Sequence, residues 1–429
     1  MNNTIQVGLL GLGTVGTGVV RLIEGHQEDL KSKIGANIHI KKILVKDINK
    51  DRSIEIDQDK FTENALDVIE DPDIDIVVEV MGGIEETKAY MIEALRRGKH
   101  IVTANKDLMA LHGAEILHEA NVNQSDVMYE ASVAGGIPIL RSISEGFSSD
   151  RITKMMGIIN GTTNYILSKM SEEGADFEDV LHEAQQLGYA EADPTSDVGG
   201  FDAAYKIAIL GTLGFHMTIA MEDVLVEGIT NVSKEDIAYG KKLGYDIKLL
   251  AIAERKEDQV YLSVQPTMIK NTHPLASVGG VFNAIYVHGE AVGETMFYGP
   301  GAGELPTATS VVADVVSVAK NIKLNVNGRT SSMPYKEKKM MDEQDVMSKN
   351  FLLLHVQDKA GVLAKITEIF AACHVSIESV LQQPVEDHDF VELVMITHEA
   401  SKSNFKQVLG QLEALDVVQQ IRSMYRVEA

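Results

Sequence analysis

The sequence predicts an α/β protein: a doubly wound parallel sheet first, then an α+β open sheet with helices on one face, then a small ferredoxin-like unit. Three observations carry this reading. Short apolar runs alternate with helical patterns through the first third of the chain. The turn Gly11-Leu12-Gly13-Thr14-Val15-Gly16 follows the first apolar run and opens a helix. The end of the chain runs β-α-β-β-α-β.

In the first part, strands are predicted at Ile5 to Leu10, Ile38 to Val45, Ile74 to Val80, Ile101 to Thr103 and Val127 to Glu130, with helices between them such as Glu85 to Arg97. This is a Rossmann-type domain, residues 1–131. From Ser132 the pattern changes. A strand is predicted at Ile152 to Ile159, helices at Asn164 to Ser171, Phe177 to Leu187 and Phe201 to Phe215, and strands at Lys248 to Ala253, Val260 to Val264 and Ala284 to Val287. They make a second, open-sheet domain, residues 132–304. The apolar helix Leu305 to Ile322 returns to the first domain (305–330) or to a subunit interface. Thr330 to Lys349 is polar, with Ser331, Ser332, Pro334, Lys336, Lys338 and Lys339, and reads as a linker (331–349). Residues 350–429 hold the last unit: strand Phe351 to Val356, helix Gly361 to Ala372, strands Val375 to Leu381 and Phe390 to Thr397, helix Lys402 to Leu415 and strand Val417 to Arg426.

The chain has 429 residues, too many for one core. A net charge of -24 argues against nucleic acid or an anionic membrane as partner, while permitting a local basic pocket for phosphate. The single cysteine, Cys373, excludes an intrachain disulfide and a cysteine zinc site and fits a reducing cytoplasm. Met1-Asn2-Asn3-Thr4-Ile5 does not read as a signal peptide, and no stretch reaches the ~20 apolar residues of a membrane helix.

The glycine turn is a dinucleotide fingerprint. Gly11 allows the tight turn, Gly13 lets backbone approach a pyrophosphate, and Gly16 lets helix and strand pack; Thr14 and Val15 then begin a helix whose N–H groups face the phosphates. After the second strand, Lys46 stands just ahead of Asp47. An acid there holds ribose hydroxyls and a cation accepts a 2′-phosphate, so NADP is expected with NAD tolerated; an ordinary solvated charge run is the other reading. Met81-Gly82-Gly83 and Thr103-Ala104-Asn105-Lys106 lie at strand carboxyl ends, where open α/β sheets bind ligands. Lys106 would face substrate or cofactor there. In Glu130-Ala131-Ser132-Val133-Ala134-Gly135-Gly136-Ile137-Pro138, a carboxylate and inward-turned carbonyls suit a hard cation, although a simple hinge turn ranks higher on the residues alone.

The most informative stretch runs from Gly188-Tyr189-Ala190-Glu191-Ala192-Asp193-Pro194 to Asp202 and Lys206. Lys206 sits at the mouth of an apolar helix, where lost hydration makes its charge costly without a partner. Asp202 lies one turn earlier on the same face. A partly buried lysine held by a carboxylate is a good proton donor to a carbonyl oxygen, with a structural ion pair as the bland alternative.

Together with Asn160-Gly161-Thr162-Thr163-Asn164, these motifs make the whole chain resemble homoserine dehydrogenase, and its last unit resembles an ACT domain, an amino-acid-sensing module. The resemblance implies interconversion of L-homoserine and L-aspartate 4-semialdehyde with NAD(P), in threonine, methionine and isoleucine biosynthesis. It implies Lys206 as proton donor and acceptor, and Glu191 and Asp202 on the amino acid, with Thr162, Gly188, Tyr189 and Lys106 beside them. Gly82, Gly303 and Glu304 join the cofactor site, the last two with Gly301 in a late loop that closes over it. A sodium-type site is implied at Glu130, Val133, Gly135 and Ile137, which raises the ion above the hinge. In the ACT unit, Asp358 and Gly361 link strand to helix where an amino-acid carboxylate, by analogy threonine's, would dock. A homodimer or homotetramer is implied, with residues 132–304 as the catalytic and dimerisation domain. Many ACT domains place asparagine before their second strand, whereas this chain has His374.

Three rivals are weaker. An aspartate-semialdehyde dehydrogenase needs a nucleophilic cysteine in its catalytic half, and Cys373 lies in the sensing unit. A non-enzymatic regulator would need neither Glu191 nor the Asp202–Lys206 pair. Zinc catalysis lacks metal-spaced histidines; His112 and His118 read as helix-face residues, and the 18 methionines as core filling.

Overall fold

A computed structural model describes residues 4–328, 334–385 and 389–428. Met1-Asn2-Asn3, and Thr330, Ser331 and Ser332 of the polar segment, lie outside the described residues. The chain forms two compact units. One is Met1–Met155 with Ala203–Asp223 and Phe282–Lys338; the other is Met156–Asp202 with Val224–Val281 and Lys339–Ala429.

The first unit is built on β1 (Thr4–Leu10), α1 (Thr14–Gly25), α2 (Gln27–Ile34), β2 (Asn37–Leu44), β3 (Phe61–Thr62), α3 (Leu66–Ile69), β4 (Ile76–Glu79), α4 (Glu85–Arg96), β5 (His100–Thr103), α5 (Lys106–Val122) and β6 (Val127–Met128). The six strands lie in the order β3-β2-β1-β4-β5-β6, and every pairing is parallel. Strand order reverses at β1, which opens a crevice between the carboxyl ends of β1 and β4. The central strands are near-continuous Val, Ile and Leu because helices cover both faces. The long helix Glu304–Leu324 packs against α1, and its Ala308, Val311, Val315 and Val318 share a core with Val19, Val20, Ile23, Leu9 and Val78. The predicted strand to Glu130 stops at Met128. Glu130–Ser132 is instead a tight helical turn, because the Glu130 amide donates to the buried Asp314 carboxylate at 2.9 Å. Strand Gly293–Pro300, antiparallel to Phe282–Gly289, has no counterpart in the sequence reading.

In the second unit, Tyr245–Lys256 and Gln259–Lys270 form a long antiparallel hairpin across Glu257 and Asp258. The final strand, Val418–Glu428, pairs with Gln259–Lys270 through Thr267 and Arg426, and also with Met347–Gln357. Phe390–Thr397 and Ile377–Pro384 complete this run of strands. Helices Val362–Ala372 and Lys402–Glu413 cover it with Ile366, Phe370, Phe405, Val408 and Leu412. The predicted βαββαβ order is therefore observed. Within the segment read as linker, Met340 bridges Val260, and a strand begins at Met347. No described helix is long and apolar enough to cross a membrane.

Candidate active site

The crevice at the end of β1 starts with backbone geometry. Gly11 has φ +106°, and a Cβ there would lie 2.9 Å from the carbonyl oxygen of Val80 and the amide of Met81. Gly16 approaches the Gly11 carbonyl so closely that a Cβ would stand 2.3 Å from it. Gly13, between them, faces open space, as a turn that receives a pyrophosphate must. The opening of about 730 Å³ in front is lined by Gly11, Gly13, Thr14, Lys46, Lys50, Arg52 and Glu304, among others.

The rim beyond β2 is ordered by its own charges. Asp47 accepts the Asn49 amide at 2.8 Å, so its carboxylate closes a turn. The Arg52 guanidinium donates to the carbonyls of Asp47, Ile48 and Lys50 and stacks 4.6 Å above the Phe61 ring. Arg52 thus holds the loop that carries Lys46 and Lys50. The sequence reading missed this role.

A second opening, of about 330 Å³, is also lined by Val80 and so adjoins the first; it contains Val15, Gly82, Lys106, Lys206 and Gly135. Lys106 opens α5, whose N-cap Asn105 accepts the Leu108 amide at 3.1 Å. Lys206 is half-buried on the apolar helix Phe201–Phe215. The fold therefore brings the two predicted lysines to one cavity beside the dinucleotide turn. Glu79 lines the same cavity, fully buried, and went unnoticed in the sequence reading. The available signal was an acid at the end of an otherwise apolar buried strand.

The Gly303 turn, φ +118°, starts the long helix, and Glu304 beside it faces Arg21 at 3.3 Å. Around the predicted cation segment, the Glu130 carboxylate is already engaged: it accepts the amides of Leu140 and Arg141 at 2.7 and 2.8 Å. These two bonds leave further lone pairs on the carboxylate. The Gly135 carbonyl accepts Ser310 Oγ at 2.7 Å. Val133 and Ile137 are buried. Burial raises the Glu130 carboxyl above the usual range and pushes Asp314 up to about 7, although Arg141 touches Asp314 at 2.6 Å.

In the second unit, Asn160 organises the acids. It caps helix Gly161–Glu173 by accepting the Thr163 amide at 2.8 Å, and its side-chain amide donates to Asp202 at 2.8 Å and Asp197 at 2.7 Å. Asp202 is buried. Thr162 donates to the Tyr189 carbonyl at 2.5 Å, tying the Gly188-Tyr189 turn to the same helix. Glu191 is exposed, and its carbonyl accepts from Gln185. Asn160 was quoted among the motifs but not as a site residue. Gly361, φ +92°, precedes helix Val362–Ala372 with open space where a Cβ would stand, and the Asp358 amide donates to the Asp389 carbonyl.

Comparison with known proteins adds independent findings. Residues 11–130 match the family "Homoserine dehydrogenase, NAD binding domain", residues 138–316 "Homoserine dehydrogenase", and residues 351–417 "ACT domain". A homoserine dehydrogenase of Bacillus subtilis is 55% identical over 99% of this chain and 98% of its own. The crystal structure of a homoserine dehydrogenase from Thiobacillus denitrificans superposes with a TM-score of 0.94 at 40% identity, covering 99% of this chain and 98% of that one. A hyperthermophilic archaeal homoserine dehydrogenase in complex with NADPH is 26% identical with a TM-score of 0.62, covering 76% of this chain and 100% of that one.

Proposed function

The chain belongs to the homoserine dehydrogenase family, and we propose here how its residues divide the work. It is an NAD(P)-dependent oxidoreductase acting on a CH–OH group, and it interconverts L-homoserine and L-aspartate 4-semialdehyde. The observation that carries the assignment of roles is the cavity shared by Lys106 and Lys206 at the foot of the dinucleotide turn.

The open face of Gly13 and the strained turn at Gly11 fit a bound dinucleotide. When bound, it supplies hydride chemistry at the carbon that bears the substrate oxygen. Lys206 moves the accompanying proton: its ammonium donates to the developing alkoxide during aldehyde reduction, and its neutral amine takes the hydroxyl proton during alcohol oxidation. Asp202, oriented by Asn160, and Glu191 bind the amino acid through its ammonium group. Thr162 shapes the Gly188-Tyr189 turn. Lys106 stands where the substrate carboxylate and the cofactor meet.

NADP is the preferred dinucleotide, with NAD tolerated. Lys46 and Lys50 line the crevice on a loop that Arg52 stiffens, while Asp47 is occupied with its own turn. The archaeal relative solved with NADPH agrees. Lys46→Ala is expected to raise the KM for NADP about tenfold, the scale of one lost charged contact, and to leave the KM for NAD unchanged. Equal shifts for both dinucleotides would refute the assignment.

A monovalent cation such as sodium is assigned to the carbonyls of Glu130, Val133, Gly135 and Ile137. Two buried acids, Glu130 and Asp314, lie beside Arg141, and a bound monovalent cation would favour their ionised forms. Self-association as a homodimer or homotetramer draws support from the exposed Met296, Tyr298 and Phe282 on one hairpin, the last two stacked 5.2 Å apart. Threonine at the Asp358–Gly361 turn is the proposed effector. Titrating threonine should lower the rate or raise the thermal midpoint; no change in either would remove it.

A further inference from the structure

We propose that Glu79 is a positioning residue that clamps the two loops at the rim of the cavity shared by Lys106 and Lys206, setting the nicotinamide end of the dinucleotide against the substrate. This rests on the reading of that cavity as the reaction site.

Glu79 ends β4 and is fully buried. Its neighbours in the strand are Ile76, Val77 and Val78, so a charge in this place is costly unless every acceptor is filled. Its hydrogen-bond partners belong to the rim. One carboxylate oxygen accepts the amides of Met81 and Gly82 at 2.9 and 3.1 Å, and the other accepts the Thr103 hydroxyl at 2.5 Å. Thr103 Oγ1 in turn accepts the Asn105 amide at 3.0 Å, and the Asn105 side chain donates to the Gly83 carbonyl at 2.7 Å.

The loop needs such a clamp. Gly82 and Gly83 are consecutive residues at φ +75° and +80°, and glycine carries little conformational preference of its own. Thr87 takes the Gly82 carbonyl at 2.6 Å, so both peptides of the pair are held by side chains. Glu79 joins this loop to the Thr103–Lys106 segment across the two neighbouring parallel strands β4 and β5. A carboxylate is suited to this because all three bonds it makes are accepted. Of the clamped residues, Met81 borders the Gly11 turn, whereas Gly82, Asn105 and Lys106 line the second cavity. The clamp therefore acts on the nicotinamide side.

The test compares full dinucleotide with ADP, which lacks the nicotinamide half. Glu79→Ala should lower kcat for homoserine oxidation and raise the dinucleotide KM, each about tenfold or more, as a misplaced reacting group does, with ADP affinity within about twofold of wild type. Glu79→Gln, which keeps two of the acceptor bonds, should recover most of both. Wild-type kcat and KM in Glu79→Ala would overturn the proposal, and so would equal weakening of ADP and dinucleotide, the mark of a purely structural role. Where Glu79→Ala does not fold, Thr103→Val replaces it: the same split, about threefold, is expected, and unchanged kinetics overturn the clamp. Wild-type turnover in the same assay checks the underlying activity separately.

Discussion

Lys206→Ala should lower homoserine turnover by ~10² or more, the usual scale for a lost general acid or base. The argument is local. Lys206 lies half-buried on an apolar helix and reaches the cavity that also holds Lys106 and adjoins the dinucleotide turn. In the proposed role its removal takes away the proton carrier and the positive charge that steadies the alkoxide, both of which matter more in the transition state than in the ground state. Dinucleotide affinity should stay near wild type, because the glycine turn is formed without Lys206. Steady-state rates of nicotinamide absorbance change at saturating homoserine measure the loss.

The second large effect is expected at Gly11. Alanine there would adopt φ +106°, which costs roughly 1–2 kcal/mol for a residue with a Cβ. Its Cβ would also stand 2.9 Å from backbone atoms of Val80 and Met81, which belong to the rim of the crevice and have no side-chain freedom with which to yield. The turn and the rim must move apart, and the dinucleotide KM should rise by tenfold to a hundredfold, which corresponds to about 1.4–2.8 kcal/mol. Gly25→Ala is the control: its Cβ would meet nothing within 4 Å, and unchanged kinetics are expected. If Gly11→Ala binds dinucleotide as the control does, the turn is not the phosphate cradle.

Much of this was legible in the sequence for one reason: the informative signals are local. A strand, a glycine turn and a helix start are neighbours in the chain, so Gly11 to Gly16 could be read directly. The same holds for Lys206 in its apolar helix and for the alternation that gives the ACT unit its strands. What stayed hidden depends on partners far along the chain. Glu79 makes sense only once β5 brings Thr103 beside it. The amides of Leu140 and Arg141 that the Glu130 carboxylate accepts were equally out of reach of a local reading. Strand Val418–Glu428 shows no local mark of pairing with Gln259–Lys270, since the choice of an edge partner is not written in period-two alternation. The hairpin contact was likewise lost at Gly293–Pro300, where glycines at positions 293 and 299 and a terminal proline mask the strand pattern.

The same chemistry explains why the Asn160 network matters. One amide donates to Asp202 and Asp197 while its oxygen caps a helix, so two acids are fixed by one residue. Such a residue positions rather than reacts.

Single-turnover hydride transfer, with dinucleotide already bound and homoserine mixed in, tests the central claim most directly. The account predicts that Lys206→Ala transfers hydride ~10² times more slowly than wild type at equal dinucleotide occupancy. Equal rates in the two proteins would contradict it.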